Sequence, residues 1–400
     1  MSTTEGLLGR ARAAEPADAI AGVAPGQVVS PASTAETAEV LREASARGLT
    51  VVARGTGTKQ SWGAPPAEVD LVVDTTNLSR VVEHAAGDLI VHAEAGITLA
   101  ALQKTVAPAG QRLALDPLCP GTLGGLIATA GSGPLRYSHG AVRDLLIGIT
   151  LVRADGVVAK AGGKVVKNVA GYDLGKLLAG SWGSLGVITE ATFRLHPLPA
   201  TSRWVAVPVD GATDADALVQ AVVHSQTVPS AVELDRPADD PATLAILVEG
   251  TEGGVAGRVE TLTHLLGGTT ELRDAAPVWW GQPPAGDTLL KLTHEIAGLP
   301  TLLDALDAAT ARHGLRAAVR GSAGVGILHA TLPGNAATVG AVVAELRAAS
   351  PAWSGDVVVL DGPSEVDPWG PVRGLDLMRR VKDQFDPEHR LAPGRFVGGI

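Results

Sequence analysis

The sequence has 400 residues, more than one ordinary hydrophobic core needs, so two domains are expected. Hydrophobic residues make up 46% and charged residues 18%, which indicates a globular protein and excludes a disordered one. The net charge of -10 argues against nucleic acid as a main partner, because phosphate binding needs a basic face.

Cysteine usage and targeting signals narrow the class further. The single cysteine, Cys119, excludes an internal disulfide and an iron–sulfur cluster built from this chain alone, since such clusters need about four thiolates. The histidines show no zinc-binding spacing, so we expect no metal. No apolar run approaches the roughly 20 residues of a membrane span, and the start of the chain lacks the apolar core of a signal peptide. We expect a cytoplasmic protein that could be peripheral to a membrane through partner subunits.

The first predicted elements are a helix and two strands. Residues 33–36 form a capping box, and apolar residues at helical spacing continue to Gly48. A buried strand at 49–53 runs into a glycine- and threonine-rich loop at 54–61, and another strand follows at 69–73. This order is typical of the start of an α+β or α/β domain.

The next elements lead to a predicted domain boundary. The pattern predicts, in order, a helix at 98–106, a turn into a small-residue helix at 120–131, a hairpin of 145–153 and 157–160, a helix around 172–178 and a strand at 186–195. Two prolines at 196–199 stop regular structure, and we expect the first domain to end there.

Beyond residue 200 the pattern indicates a second domain. Short strands alternate with Ala-rich amphipathic helices, which predicts a sheet covered by helices on one face. The strands are expected at 204–207, 244–248, 289–292, 317–319, 326–331 and 356–360, and the helices at 213–224, 253–266, 300–312 and 335–349. A basic helix is expected at 376–385, with Arg379, Arg380 and Lys382 on a solvated face.

The loop at 54–61 has the composition of a phosphate-binding loop. Glycines after a strand let the backbone approach a diphosphate, and successive N–H groups form an anion nest. The GxGxxG pattern of the Rossmann fold fails because Gln60 occupies the last glycine position, and the P-loop pattern fails because Val165 follows Gly163-Lys164. A plain Gly/Thr turn between strands is the alternative interpretation.

Two further segments share this character. Small residues dominate 120–133, where a planar ring or a second phosphate contact could lie flush on the backbone. Polar residues precede a helix at 167–174, and a glycine loop at 179–186 leads into a β-branched strand. For the first segment, a tightly packed small-residue helix is the alternative.

The motifs ARGTGT, PGTLGG, SHGAVRDLLIG, KNVAGYDLGKLLAGSWGSLGVIT and FDPEHRLAPGRF occur in this order. Their order resembles the FAD-binding proteins of the vanillyl-alcohol-oxidase type, also called PCMH-type, and within them most resembles the small FAD-binding subunit of glycolate oxidase. The resemblance implies an α+β fold with a two-subdomain PCMH-type FAD-binding domain at 20–200. It also implies a second α+β domain at 201–365, with an antiparallel sheet covered by helices, and a C-terminal segment at 366–400 that returns to the FAD domain.

The resemblance also implies roles for individual positions of this sequence. The pyrophosphate is expected on Arg54, Gly55, Thr56, Gly57 and Thr58, and the isoalloxazine and ribityl chain along Pro120, Gly121, Thr122, Gly124 and Gly125. The flavin pocket is expected to involve Gly131, Ser132, Gly140 and the Arg143-Asp144 pair, and the adenosine end Gly183, Gly186, Val187 and Ile188. Arg395 is expected to reach the flavin from the C-terminal tail.

Three departures from the family pattern affect the predicted chemistry. No histidine lies at 54–61, so non-covalent FAD is expected. Ala392 stands where the tail motif usually has Asn, which removes a polar contact. The segment 321–329 stands where related catalytic enzymes have an HxGDGNxH metal and substrate motif, and only His329 fits it. The catalytic base therefore stays unassigned, with His139 and His329 as weak candidates.

These observations leave three functions open. The first is an FAD-binding subunit of a glycolate oxidase or dehydrogenase complex, which oxidises a 2-hydroxy acid with a larger catalytic flavoprotein and an iron–sulfur subunit. The second is a self-sufficient FAD-dependent 2-hydroxy acid dehydrogenase, as for D-lactate. The third is a non-catalytic scaffold in which FAD is structural.

Overall fold

The computed structural model describes residues 7–163, 173–267 and 269–400. The motif residues at 167–172 therefore lie outside the described ranges. The N-terminal half holds three sheets and six helices within those ranges. Its strands are β1 (Arg12–Ala13), β2 (Gln27–Val29), β3 (Val51–Arg54), β4 (Leu71–Asp74), β5 (Val81–Ala85), β6 (Ile90–Glu94), β7 (Gln111–Arg112), β8 (Leu146–Val152), β9 (Val158–Gly162), β10 (Val187–Arg194) and β11 (His196–Pro197). Its helices are α1 (Thr34–Arg47), α2 (Leu99–Val106), α3 (Leu123–Ala128), α4 (Arg136–His139), α5 (Val142–Leu145) and α6 (Leu174–Leu178).

The predicted cap of helix α1 is confirmed. The Ser33 hydroxyl accepts a hydrogen bond from the Glu36 amide at 3.1 Å, and Gly48 ends the helix in the left-handed region with φ 73°. The buried face of α1, which includes Val40 and Leu41, packs with strands β3 and β4 in one hydrophobic cluster. This packing fixes the end of β3, from which the glycine loop at 54–61 begins.

The sheets of the N-terminal half form two units. One is a four-stranded sheet in the order β1-β2-β4-β3, in which β4 runs parallel to both β2 and β3. The other is a five-stranded antiparallel sheet in the order β5-β6-β10-β8-β9. A two-stranded ladder joins β11 to β7.

The second half is one antiparallel sheet with helices on it, as the sequence predicts. Its strands are β12 (Thr201–Val209), β13 (Ala231–Arg236), β14 (Ala242–Gly250), β15 (Glu271–Arg273), β16 (Thr288–Thr293), β17 (Ala318–Ser322), β18 (Ile327–Leu332) and β19 (Val357–Asp361). Its helices are α7 (Gly211–Val223), α8 (Glu252–Leu266), α9 (Leu299–Arg312) and α10 (Ala336–Ala349). The strand order is β15-β12-β14-β13-β17-β18-β16-β19.

Alternation along these strands separates two faces of the sheet. Val232 and Leu234 of β13 and Leu328 of β18 join the helices in the main hydrophobic cluster. The intervening residues, such as Glu233 and His329, point to the opposite face because successive side chains of a strand alternate. That face meets the N-terminal half, where Leu135 packs with Ala231 of β13 and Leu247 of β14 in a separate hydrophobic cluster.

The C-terminal residues pack on the N-terminal half. Helix α11 (Leu375–Phe385) places Val381 and Phe385 against the core of the five-stranded sheet. The following chain runs beside β3, where the Val51 amide donates to the Arg390 carbonyl and the Ala392 amide donates to the Val51 carbonyl, each at 2.8 Å. None of the helices in the described ranges has the length and apolar character that crossing a bilayer requires.

The expected solvated position of Lys382 is wrong. Its side chain has 0% exposure, and its ammonium donates to the Asp386 carboxylate at 2.6 Å and to the carbonyls of Ser184 and Leu391 at 2.8 and 2.9 Å. These bonds join the C-terminal segment to the glycine loop before β10. A buried ammonium needs such partners because its desolvation is otherwise too costly.

We predict that Lys382→Met destabilises the protein by about 3–5 kcal/mol, because it leaves the Asp386 charge buried without its cation. Denaturant unfolding followed by circular dichroism measures the loss. Arg380→Met, on the exposed side of the same helix, is the matched control and should change stability by less than about 0.5 kcal/mol. Equal effects of the two substitutions would contradict the role given to Lys382.

Candidate flavin site

Three loops and one tail residue surround an open cavity with about 870 Å³ of empty space. The loops follow β3, precede and include α3, and precede β10. The lining residues are Ile20, Val52, Ala53, Arg54, Gly55, Thr56, Gly57, Thr58, Lys59, Gln60, Thr75, Gly121, Thr122, Gly124, Gly125, Ala128, Thr129, Trp182, Gly183, Gly186, Ile188 and Arg395.

Two of these loops touch through their glycines. A Cβ on Gly55 would lie 2.8 Å from Cγ2 of Thr122, and a Cβ on Gly121 would lie 2.9 Å from Oγ1 of Thr58. The Thr122 side chain is fixed in turn, because its hydroxyl accepts the Gly125 amide at 3.3 Å as the N-cap of α3. Any side chain at either glycine would push the two loops apart and change the cavity.

The backbone of the first loop offers free donors. The amides of Thr56, Gly57 and Thr58 donate no hydrogen bond to any other described residue. Gly57 adopts φ +74°, a conformation in which successive amides can converge on one anion. Backbone amides without a partner suit a phosphate group, because its oxygens accept several hydrogen bonds at once.

Ion pairs of Arg54 anchor the start of the loop at 54–61. Its guanidinium forms ion pairs with Asp18 and Asp74, each at 2.7 Å, and its side chain is only 12% exposed. Arg12 also pairs with Asp18 and, by hydrogen bonding, holds the pKa of that carboxyl far below its usual range. Because two carboxylates already hold the Arg54 guanidinium, we assign this side chain to positioning the loop, while the loop backbone faces the cavity.

Two other cations on the cavity wall lack a carboxylate partner among the described residues. The Lys59 ammonium donates to the Cys119 carbonyl at 2.6 Å and lies 5.6 Å from the centre of the Trp62 ring. The Arg395 guanidinium donates to the Trp62 carbonyl at 2.6 Å, and burial lowers its pKa to about 10. A diphosphate would neutralise both charges and take up the free loop amides, so these residues fit FAD.

The structure brings most of the predicted cofactor residues to one cavity. Those on its wall are Arg54, Gly55, Thr56, Gly57, Thr58, Gly121, Thr122, Gly124, Gly125, Gly183, Gly186, Ile188 and Arg395. Pro120, Gly131, Ser132, Gly140, Asp144 and Val187 are not among the lining residues.

Several residues outside the cavity wall have other partners. The Val187 side chain is buried with strand β3 and helix α1 in a hydrophobic cluster. Asp144 accepts the Ala141 amide at 2.8 Å at the start of α5, and Ser132 accepts a hydrogen bond from Arg136 at 2.9 Å. Sequence reasoning assigned no role to Lys59, Gln60 or Trp182, although Lys59 and Gln60 lie in the loop at 54–61 and Trp182 in the glycine loop at 179–186.

A second polar cluster lies where the sheet of the second half meets the N-terminal half. His329 of β18 has Arg320 of β17 and Lys291 of β16 as its two cross-strand neighbours. Burial, with the charges of Lys291 and Arg136, lowers the pKa of His329 to about 3, so its imidazole is neutral. Glu233, on the same face, is 2% exposed, and burial raises its pKa to about 8.

Arg136, Glu233, Lys291, Arg320 and His329 are called the interdomain cluster below. Several of its polar groups lack a hydrogen-bond or ion-pair partner among the described residues. Oε1 of Glu233 and Nδ1 of His329 are buried and have no partner among the described residues. Lys291 forms no ion pair or hydrogen bond there, and Arg136 donates only to Ser132. Burial lowers the pKa of Arg136, and the carboxyl groups of Asp144 and Glu233 that oppose this shift lie beyond ion-pair distance.

The other weak catalytic candidate, His139, has a different environment. Its ring meets His196 edge-on with the ring centres 4.6 Å apart, and its Nδ1 lies 2.6 Å from the Ser138 hydroxyl. Burial is the main cause that lowers its pKa. Within the described ranges, no group of three or more His, Cys, Asp or Glu side chains could hold a metal ion.

Comparison with known proteins agrees with this geometry. Residues 25–162 match the FAD binding domain family. The chain is 31% identical over 216 residues to glycolate oxidase subunit GlcD of Bacillus subtilis, a match that covers 53% of this chain and 46% of that protein. It is 35% identical over 155 residues to glycolate oxidase subunit GlcE of Escherichia coli, covering 38% of this chain and 44% of that protein.

A further curated relative covers a similar share of the chain, and a solved structure covers most of it. D-lactate dehydrogenase of Archaeoglobus fulgidus is 35% identical over 210 residues, 52% of this chain and 46% of that protein. The chain therefore spans about half the length of the curated relatives that it matches first. A solved structure of alkyldihydroxyacetonephosphate synthase superposes with a TM-score of 0.71 over 94% of this chain and 77% of that one, and its 17% identity shows the fold alone. Residues 25–162 of this chain therefore form an FAD-binding domain of the PCMH type, and FAD is its cofactor.

Proposed function

We propose that this chain is an FAD-dependent oxidoreductase that oxidises a 2-hydroxy acid, glycolate to glyoxylate, as the FAD-binding subunit of a complex that passes electrons to partner chains. The observation that carries the substrate class is a pair of half-buried cations, Arg136 and Lys291, near the neutral His329. Neither cation forms an ion pair with a carboxylate of the described residues. A 2-hydroxy acid supplies the missing anion together with a hydroxyl group.

The residues of the interdomain cluster match the two polar groups of such a substrate. A carboxylate needs a cationic anchor, which Arg136 and Lys291 offer from the two halves of the chain. The hydroxyl proton needs an acceptor during oxidation. Nδ1 of the neutral His329, which has no partner in the described ranges, is the available acceptor. Bound FAD supplies the acceptor for the two electrons and the hydrogen of the C–H bond.

Two features support the role of a subunit. The names of two relatives are those of glycolate oxidase subunits. The sequence has a single cysteine, so a route for electrons through iron–sulfur clusters would need a larger flavoprotein partner and an iron–sulfur partner with their own thiolates. A self-sufficient dehydrogenase is the second candidate, because the name of another relative is D-lactate dehydrogenase.

Anaerobic mixing of the FAD-loaded protein with glycolate or D-lactate tests this function. Loss of the oxidised flavin absorbance in the isolated chain supports the self-sufficient enzyme. Loss that requires co-purifying chains supports the subunit. A flavin that stays oxidised with either acid under both conditions contradicts the proposal and favours a structural FAD.

The anchoring role predicts the effect of removing either cation. We expect Arg136→Met and Lys291→Met each to raise the acid concentration for half-maximal flavin reduction by about ten- to a hundredfold, since a hydrogen bond to a charged group contributes about 1.5–3 kcal/mol. FAD content should stay unchanged. Lys104→Met, on an exposed face of α2, is the control for the loss of a positive charge. If both variants reach half-maximal flavin reduction at the same acid concentration as the parent protein, these residues do not anchor the substrate.

The contact of the two loops predicts the effect of one added methyl group. Gly55→Ala places a Cβ against Thr122 and should leave the purified protein without FAD, measured as flavin absorbance per protein. Gly87→Ala adds the same atom where nothing lies within 4 Å and should keep full FAD content. Circular dichroism checks that both variants fold. Full FAD content in Gly55→Ala would show that the loops need not touch.

A further inference from the structure

Trp182 has an unusual backbone for a large residue. Its φ is +55°, a region that bulky side chains rarely adopt, and its amide donates to the Ala128 carbonyl at 2.9 Å. Residues held in sparsely populated conformations cluster at ligand sites, where the surrounding structure maintains the strain. Trp182 is also a lining residue of the FAD cavity.

Two aromatic residues of the C-terminal segment hold the Trp182 ring. Trp369 meets it edge-on with the ring centres 4.8 Å apart, and Phe396 meets Trp369 in the same way at 5.2 Å. The two indoles lie on the backbone of Gly63, where an added Cβ would be 2.9 Å from Cζ3 of Trp182 and 3.3 Å from Cζ2 of Trp369. The indole is therefore fixed before any ligand arrives.

Trp182 differs in kind from the other residues that line the FAD cavity. Trp182 is the one aromatic residue among its described lining residues, which otherwise consist of small, polar, aliphatic and cationic side chains. The free amides at 56–58, Lys59 and Arg395 suit the phosphates of FAD, and none of them offers a surface to its two planar ring systems. Arg395 also directly precedes Phe396, so the same stretch of tail brings a cation and a ring support to the cavity.

We propose that Trp182 is the surface on which one planar ring system of FAD stacks, and that Trp369 and Phe396 act as positioning residues for it. The proposal rests on FAD binding and not on the substrate proposed above. Stacking of a nucleobase on an aromatic side chain contributes about 1–3 kcal/mol, which corresponds to about a five- to a hundredfold change in affinity. Docking of the C-terminal segment and binding of FAD are then coupled, each strengthening the other.

Titration of the flavin-free protein with FAD tests the proposal. Trp182→Ala should weaken FAD binding about five- to a hundredfold, and Trp182→Phe, which keeps a ring, should recover most of the loss. The intrinsic fluorescence of the protein gives a second readout, because FAD should quench Trp182 most strongly. Trp204→Phe is the matched control: its indole packs on Trp280 in the second half, 6.1 Å between ring centres, and its loss should leave the affinity and most of the quenching unchanged.

Ligand fragments identify which ring stacks. FMN carries only the isoalloxazine and ADP only the adenine, so the fragment whose binding Trp182→Ala weakens contains the stacked ring. Trp369→Leu should weaken the binding of that same fragment, and Trp369→Phe should restore it, since the edge contact needs a ring.

Parental FAD affinity in Trp182→Ala overturns the proposal. An equal loss of FAD affinity in Trp182→Phe and Trp182→Leu also overturns it. This pair of variants serves as the test if Trp182→Ala does not fold. Either result leaves FAD binding itself intact, because failure of that claim would appear as absent FAD in the parent protein.

Discussion

The close approach of two glycine loops is the constraint on which the site depends. Gly55 lies against Thr122 and Gly121 against Thr58, with no room for a Cβ at either position. The approach leaves the amides at 56–58 directed to no other described residue, so they can serve an anion. The elements beneath the loops, the parallel strands β3 and β4 and the short helix α3, hold the two loops at this separation.

The buried ions follow from the same constraint. The glycines of the loop have no side chains that could anchor it, so charged residues beside them do so. Arg54 joins the loop to Asp18 and Asp74, while Lys382 joins the C-terminal segment to the carbonyl of Ser184. Arg395 then reaches the cavity with its charge free of any carboxylate in the described ranges. Arg54 and Lys382 therefore stabilise the fold through ion pairs, whereas Arg395 remains available to bind a phosphate.

The resemblance carried by the order of the motifs predicted the FAD-binding fold, which is confirmed. Strand and helix patterns predicted the sheet covered by helices in the second half, and it is confirmed as well. Local signals were sufficient there, because caps, glycine turns and alternation act over a few residues. Strand β13 was missed, although Val232, Glu233 and Leu234 alternate as a strand should. So short a run pairs only where both neighbouring strands are in place, and one of them, β17, is distant in sequence.

The errors at the site have the same origin. Lys382 looks like a surface residue on its own helix, and only the chain that returns beside β3 buries it. Trp182 looks like a loop residue, and only the C-terminal residues Trp369 and Phe396 make its ring part of the cavity wall. Of the interdomain cluster, the sequence singled out only His329, because Arg136, Glu233 and Lys291 lie on elements that are distant from β18 along the chain.

Flavin release tests the central claim most directly. The purified protein should show the absorbance of oxidised flavin, and acid precipitation should leave all of the flavin in the supernatant as intact FAD, identified by mass. This result is expected because, as we propose, loops 54–58 and 121–125 hold the cofactor with Lys59 and Arg395 by non-covalent contacts alone. A protein that neither contains nor takes up FAD, or one whose flavin stays with the precipitate, would contradict the account.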